Sequence, residues 1–125
     1  MGEGKPEVTL GAHRRVLVVD DNPHIRELVR LVLEVDHFVV ATASDGITAV
    51  AEAVAGGADV IVLDEQMPNR SGSEAAALIR SVLPGVRIVA FSAVMDDKPE
   101  WADAFCPKTE IADIGLIVDR LIDLT

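Results

Sequence analysis

From residue 14 onwards, short runs of apolar residues alternate with segments whose apolar residues recur every three or four positions. The first pattern is typical of buried parallel strands and the second of amphipathic helices. Five strands are predicted, at residues 16–19, 38–42, 60–63, 86–91 and 104–106. Five helices are predicted, at residues 22–36, 46–56, 72–82, 96–102 and 110–124. This alternation predicts one α/β domain with a doubly wound parallel sheet.

Two of the helices have a clear apolar stripe. In the first helix it consists of Ile25, Leu28, Val29, Val32 and Leu33, and in the last of Ile114, Ile117, Val118, Leu121 and Ile122. Asn22 followed by Pro23 is a helix start. The pattern weakens after the fourth strand, where residues 96–102 leave room only for a short helix.

Composition narrows the class of protein. The 125 residues carry a net charge of −10, and the 11 basic residues are scattered along the chain. Because binding to a nucleic-acid backbone requires clustered cations, direct nucleic-acid binding is not expected. No apolar run approaches the roughly 20 residues that span a bilayer, so a cytoplasmic protein without a membrane segment is expected. Residues 1–13 lack periodicity and are predicted to form a flexible tail ahead of a domain at 14–125.

Polar residues follow four of the predicted strands. Asp20 and Asp21 follow the first strand, Asp64 the third, Ser92 the fourth, and Lys108 comes just after the fifth. The carboxyl ends of parallel strands meet at one edge of a sheet, so we expect these side chains to converge. Three clustered carboxylates repel one another unless a cation lies among them, and oxygen ligands suit Mg²⁺. Taken singly, each aspartate could equally be an ordinary strand cap.

These residues and their surroundings match a known pattern. The stretch from Asp64 to Gly72 reads D-x-x-M-P-x-x-x-G, Phe91-Ser92-Ala93 looks like a switch-hydroxyl motif, and Pro107-Lys108 ends the fifth strand. Together with the acidic pair, they resemble the receiver domain of two-component response regulators over residues 14–124. The resemblance implies a five-stranded flavodoxin-like (CheY-like) sheet with strand order 2-1-3-4-5.

The resemblance also implies residue roles. Asp64 would accept a phosphoryl group from a sensor histidine kinase or a histidine phosphotransfer protein. Asp20, Asp21, Asp64 and the backbone carbonyl of Gln66 would hold Mg²⁺, while Lys108 and Ser92 would contact the phosphoryl oxygens. A receiver is not a dedicated enzyme, although it catalyses its own phosphorylation and dephosphorylation.

The output of a receiver is a change of side-chain packing. Ser92 and Phe105 would form the switch, although Phe105 could equally be a core residue. The face made by helix four, strand five and helix five would contact a downstream protein or a second copy. Here helix four is shortened, which puts a standard output dimer in doubt. No output domain follows residue 125, so a stand-alone receiver is expected, unless the chain is a domain excised from a longer protein.

Two other functions compete with a phosphorylated receiver. One is a constitutive pseudo-receiver, an interaction module that phosphorylation does not control. The other is a haloacid-dehalogenase-like phosphatase, which would need a second aspartate two residues after Asp64. Position 66 is glutamine, so the phosphatase is the least favoured of the three functions.

Overall fold

The computed structural model describes residues 14–67 and 70–123. Within these residues, five parallel strands form one sheet in the order β2-β1-β3-β4-β5, which confirms the predicted fold class. The strands are β1 Arg15–Val19, β2 Val39–Ala43, β3 Val60–Leu63, β4 Arg87–Ser92 and β5 Ala104–Pro107. The predicted tail at 1–13 and the loop proline Pro68 lie outside the described residues.

In the described part of the chain, four α-helices cover this sheet: α1 Pro23–Val35, α2 Gly46–Gly56, α3 Gly72–Val82 and α4 Ile114–Asp123. A 3₁₀ helix at Lys108–Asp113 leads into α4, which is the last of the five predicted helices. The predicted start of α1 is confirmed, because the Asn22 side chain accepts hydrogen bonds from the backbone N–H groups of His24 and Ile25. Gly57 ends α2 with φ of 68°, a left-handed conformation that glycine adopts without strain.

The core lies on both faces of the sheet because side chains alternate along each strand. Val16 and Val18 of β1 face the side covered by α1 and α4, and Leu17 and Val19 face the side covered by α2 and α3. The stripe predicted for α4 is buried or packed against the core. The α1 stripe is correct except at Leu28, which is 45% exposed and therefore wrongly assigned.

The connection between β4 and β5 is short and irregular. Residues 93–103 are all described, and they contain bends and a turn but no helix. The predicted shortening of helix four is confirmed, and it goes further than expected, because the short helix at 96–102 does not form. The helix fails because Pro99 has no N–H to donate and disfavours helical geometry at Lys98. Only one turn forms, in which the Ala102 N–H donates to the Pro99 carbonyl.

An ion pair holds this connection against the rest of the domain. The Arg80 guanidinium, at the end of α3, donates to the Asp103 carboxylate at 2.9 Å and to the backbone carbonyls of Val86 and Trp101. Asp103 also accepts the backbone N–H of Ile88 at 2.8 Å. Trp101 itself is partly buried against the α2 and α3 side of the core. The hydrogen bonds of the Arg80 and Asp103 side chains therefore hold the β4–β5 connection in place, where a packed helix would otherwise do so.

Asp103→Asn is expected to destabilise the domain by about 1–2 kcal/mol at neutral pH, because the charge that pairs with Arg80 is lost. Burial favours the neutral acid, but the Ile88 N–H, Arg80 and Arg87, whose guanidinium lies 3.8 Å from Asp103 Oδ1, outweigh it and lower the pKa of Asp103. The Asp103 carboxylate therefore contributes its full stabilisation at pH values above its unfolded-state pKa of roughly 3.9. This stabilisation disappears as the pH falls through the lower folded-state pKa. Urea unfolding of both proteins from pH 7 to pH 3 measures the difference.

Asp96→Asn, at an exposed position of the same connection, is the matched control and should leave stability unchanged at every pH. A difference between wild type and Asp103→Asn that stays constant down to pH 3 would contradict the ion-pair account.

Candidate functional site

Three carboxylates converge at the carboxyl edge of the sheet, as predicted. Asp20 and Asp21 follow β1 and Asp64 follows β3, and these two strands are hydrogen-bonded neighbours. One carboxylate oxygen from each residue lies within 4.8 Å of the others. Asp20 and Asp64 are buried, whereas Asp21 is exposed at the mouth of the cluster.

Lys108 reaches this cluster from the end of β5, on the far side of β4. Its Nζ lies 2.7 Å from Asp20 Oδ2 and 3.1 Å from Asp64 Oδ2. The ammonium also lies 5.6 Å from the centre of the Phe91 ring, at a distance typical of a cation–π contact. The structure therefore brings together Asp20, Asp21, Asp64 and Lys108 from three separate strands.

The charges in this cluster perturb one another. Burial raises the pKa of Asp64, with a further rise from Asp20, and the Lys108 charge only partly offsets it. Burial disfavours the charge on Lys108, but the two carboxylates outweigh it and raise the pKa of Lys108. Burial and neighbouring charges thus shift the pKa values of Asp64 and Lys108, a property that is common at functional sites.

The cluster has the donor set of a hard divalent cation. Asp20 Oδ2 is buried and, among the described residues, has no partner with hydrogen-bond geometry, although the Lys108 charge lies close to it. Among the described residues, the three carboxylates are accompanied by a single ammonium, that of Lys108, which contacts Asp20 and Asp64. Carboxylate oxygens at this spacing, with negative charge to spare, fit Mg²⁺.

Sequence reasoning missed two groups that hold Asp20 in place. The Arg26 guanidinium, one turn into α1, donates to the backbone carbonyl of Asp20 at 2.7 Å. The backbone N–H of Asn22 donates to Asp20 Oδ1 at 2.9 Å. Arg26 is partly buried on α1. Its position on that helix was the only signal in the sequence for a role beside Asp20.

Of the remaining predicted site residues, Gln66 contacts the cluster, whereas Ser92 lies on β4 and Phe105 on β5. Ser92 is buried at the end of β4, where its Oγ accepts the backbone N–H of Val94 at 3.1 Å. The backbone N–H of Gln66 donates to Asp64 Oδ1 at 3.3 Å, and the role of its carbonyl stays a prediction. Phe105 is only partly buried, at the margin of the core, and its switch role also stays a prediction.

Fold and site together define an α/β protein with a flavodoxin-like sheet and an acidic cluster, paired with a lysine, at the carboxyl edge. The family model described as response regulator receiver domain matches residues 16–106. The chain therefore belongs to the receiver domain family of two-component response regulators, and the predicted resemblance is confirmed.

Several known proteins are similar to this chain. The probable transcriptional regulatory protein TcrX of Mycobacterium tuberculosis is 38% identical over 78 residues, which cover 62% of this chain and 33% of TcrX. The response regulator protein TrrA of Thermotoga maritima, solved in complex with Mg(2+)-BeF, is 31% identical with a TM-score of 0.79, covering 86% of this chain and 98% of TrrA. TrrA solved in complex with the histidine kinase ThkA is also 31% identical, with a TM-score of 0.78 and coverage of 86% and 97%.

This chain spans between 10% and 35% of the length of the first curated relatives that it matches. Within residues 14–67 and 70–123, no helix has the length and apolar character needed to cross a membrane.

Proposed function

We propose that this receiver domain accepts a phosphoryl group on Asp64 from a histidine kinase or a histidine phosphotransfer protein. The observation that carries the proposal is the convergence of three carboxylates and Lys108 at one edge of the sheet. The similarity to TrrA, which has been solved both with Mg(2+)-BeF and with a histidine kinase, supports the same assignment.

The transfer needs a nucleophile and compensation of negative charge. A carboxylate oxygen of Asp64 attacks the phosphorus in line, and the bond from phosphorus to the donor atom breaks with its electron pair leaving on the donor. Lys108, 3.1 Å from Asp64 Oδ2, supplies positive charge to the phosphoryl oxygens, and Ser92 supplies a hydroxyl donor. The product is an acyl phosphate on Asp64.

Asp20 and Asp21 are assigned to hold Mg²⁺ together with Asp64 and the Gln66 carbonyl. When bound, Mg²⁺ neutralises charge on the transferred phosphoryl group. The backbone of Asp20 is anchored by Arg26 and its carboxylate by the Asn22 N–H, so this metal ligand keeps a defined orientation.

Intact-protein mass after incubation with acetyl phosphate and Mg²⁺ tests the proposal. We expect a gain of one phosphoryl group that EDTA prevents and that is absent from Asp64→Asn. The isosteric asparagine keeps the shape of the site but cannot form an acyl phosphate. If wild type gains no mass even at short times, the domain is better described as a constitutive pseudo-receiver.

Arg26→Met is expected to weaken Mg²⁺ binding by about 10-fold, because groups that orient a metal ligand contribute on this scale. The substitution removes the bond to the Asp20 carbonyl but retains most of the side-chain volume. Isothermal titration of each protein with MgCl₂ measures the effect.

Arg30→Met is the matched control, since Arg30 lies one turn further along α1 and pairs with Glu27 and Glu34 instead of the site. Equal Mg²⁺ affinities of the two variants would show that Arg26 does not position Asp20.

A further inference from the structure

The loop between β3 and α3 is closed by contacts at its base. It begins directly after Asp64 and ends at Gly72, the first residue of α3. The backbone N–H of Gly72 donates to the backbone carbonyl of Glu65 at 2.9 Å. The backbone N–H of Ser73 donates to the side-chain Oε1 of Glu65 at 3.2 Å. Glu65 therefore holds the start of α3 with both its main chain and its side chain.

The contact at this base is too close to admit a side chain on Gly72. A Cβ atom on Gly72 would lie 2.7 Å from the Asp64 carbonyl oxygen and 2.8 Å from Glu65 Cα. Non-bonded heavy atoms normally keep about 3.5–4.0 Å apart, so both distances would force a shift of the backbone. The start of α3 is thus packed directly on the residues that join β3 to the loop.

The base of this loop lies at the proposed metal site. Asp64 and the Gln66 carbonyl are two of the proposed ligands, and Glu65 lies between them in the chain. Glu65 also lines an open cavity together with Asp21 and Gln66. Because Gln66 is the next residue along the loop, the orientation of its carbonyl depends on how firmly Glu65 is held.

We propose that Glu65 is a positioning residue for Mg²⁺ binding, acting through the loop that carries the Gln66 carbonyl. This role rests on the proposed function, because it takes that carbonyl as a metal ligand. A site that is in its binding conformation for only a fraction of the time has an apparent affinity reduced by that fraction. The hydrogen bond from Ser73 N–H to the Glu65 carboxylate increases the fraction before the metal binds.

A second carboxylate at the same helix end makes only local bonds of this kind. Glu74 Oε1 accepts the backbone N–H of Ser71 at 3.0 Å, and Ser71 Oγ accepts the backbone N–H of Glu74 at 3.2 Å. These bonds stay within the first turn of α3 and its cap. Loss of the Glu74 carboxylate loosens the helix end without releasing Glu65. Glu74 therefore separates an effect of helix capping from an effect at the base of the loop.

Isothermal titration of the full chain with MgCl₂ tests this role. Glu65→Leu is expected to weaken Mg²⁺ binding about 10-fold, the scale on which groups that orient a metal ligand contribute. Glu65→Gln keeps an oxygen that can accept the Ser73 N–H, so its affinity should stay within about 3-fold of wild type. Glu74→Leu removes an equal charge from the same helix end and should likewise stay close to wild type. A thermal melt checks that each variant is folded.

Gly72→Ala disturbs the same contact by a different route. Its Cβ would push α3 away from the Asp64 carbonyl, so weaker Mg²⁺ binding is expected here as well. Because both substitutions act on one contact, their effects should not be additive. In the double variant, the loss of affinity should be smaller than the product of the losses in Glu65→Leu and Gly72→Ala.

Three results would exclude this role for Glu65. One is equal Mg²⁺ affinity of Glu65→Leu and wild type. Another is an equal loss in Glu65→Gln and Glu65→Leu, which would show an effect of charge. The third is an equal loss in Glu74→Leu, which would show a general effect of the helix end. Failure of the proposed function looks different: wild type itself would bind no Mg²⁺ and gain no phosphoryl group, and the role of Glu65 would be excluded with it.

Discussion

Lys108→Met is expected to slow phosphoryl transfer from acetyl phosphate to Asp64 by about 100- to 1,000-fold. A pre-positioned donor that stabilises developing negative charge in a buried site contributes on this scale. Lys108 is the ammonium that contacts both buried carboxylates of the site. The rate of mass gain in the presence of saturating Mg²⁺ measures the loss.

The same substitution is expected to tighten Mg²⁺ binding. Lys108 Nζ lies 2.7 Å from Asp20 Oδ2, a buried carboxylate oxygen without a hydrogen bond among the described residues, so lysine and metal compete for the same negative charge. Isothermal titration distinguishes the two effects, and Lys98→Met, away from the site, serves as the control. A Lys108→Met protein that binds Mg²⁺ more weakly would contradict this account, because the lysine would then be supporting the metal site.

Phe91→Ala should cost about 3–5 kcal/mol of unfolding free energy, the usual cost of truncating a fully buried phenylalanine. The Phe91 ring has no solvent exposure and lies in the core cluster under α1 and α4. Its removal leaves a cavity and also takes away the ring next to the Lys108 ammonium. Urea unfolding at neutral pH, with the slope checked for two-state behaviour, measures the cost.

Phe105→Ala provides the comparison on the adjacent strand. Because its ring is only partly buried, the cost should stay below about 2 kcal/mol. Equal losses of unfolding free energy in Phe91→Ala and Phe105→Ala would mean that the side of β5 that carries Phe105 is covered as fully as the core.

The sheet and the site could be predicted because their signals are local. Each strand is a short apolar run, and Asp20, Asp64 and Lys108 each directly follow a strand at its carboxyl end. Parallel pairing then brings Asp20 and Asp64 together without any further information. The helix starts were equally local, since Asn22 bonds to N–H groups only two and three residues away.

The sequence reasoning missed features that depend on long-range contacts. Arg80 and Asp103 are 23 positions apart, and no periodic pattern links them. Leu28 has the spacing of a core residue, but α1 is rotated so that Val29 and Leu33 point inward instead. The segment between β4 and β5 has no competing apolar stripe, so its conformation follows from Pro99 and from the bonds that Arg80 and Asp103 make.

The side of β5 that carries Phe105 and Pro107 is only partly buried, and this has a thermodynamic consequence. Apolar surface that is already exposed in the folded state cannot be newly exposed on unfolding. The heat-capacity change of unfolding and the denaturant slope both scale with newly exposed surface. Per residue, both should therefore be smaller here than in a domain whose sheet is covered on both faces. The stability curve of this domain would accordingly be flatter, with a folding free energy that varies less between cold and warm conditions.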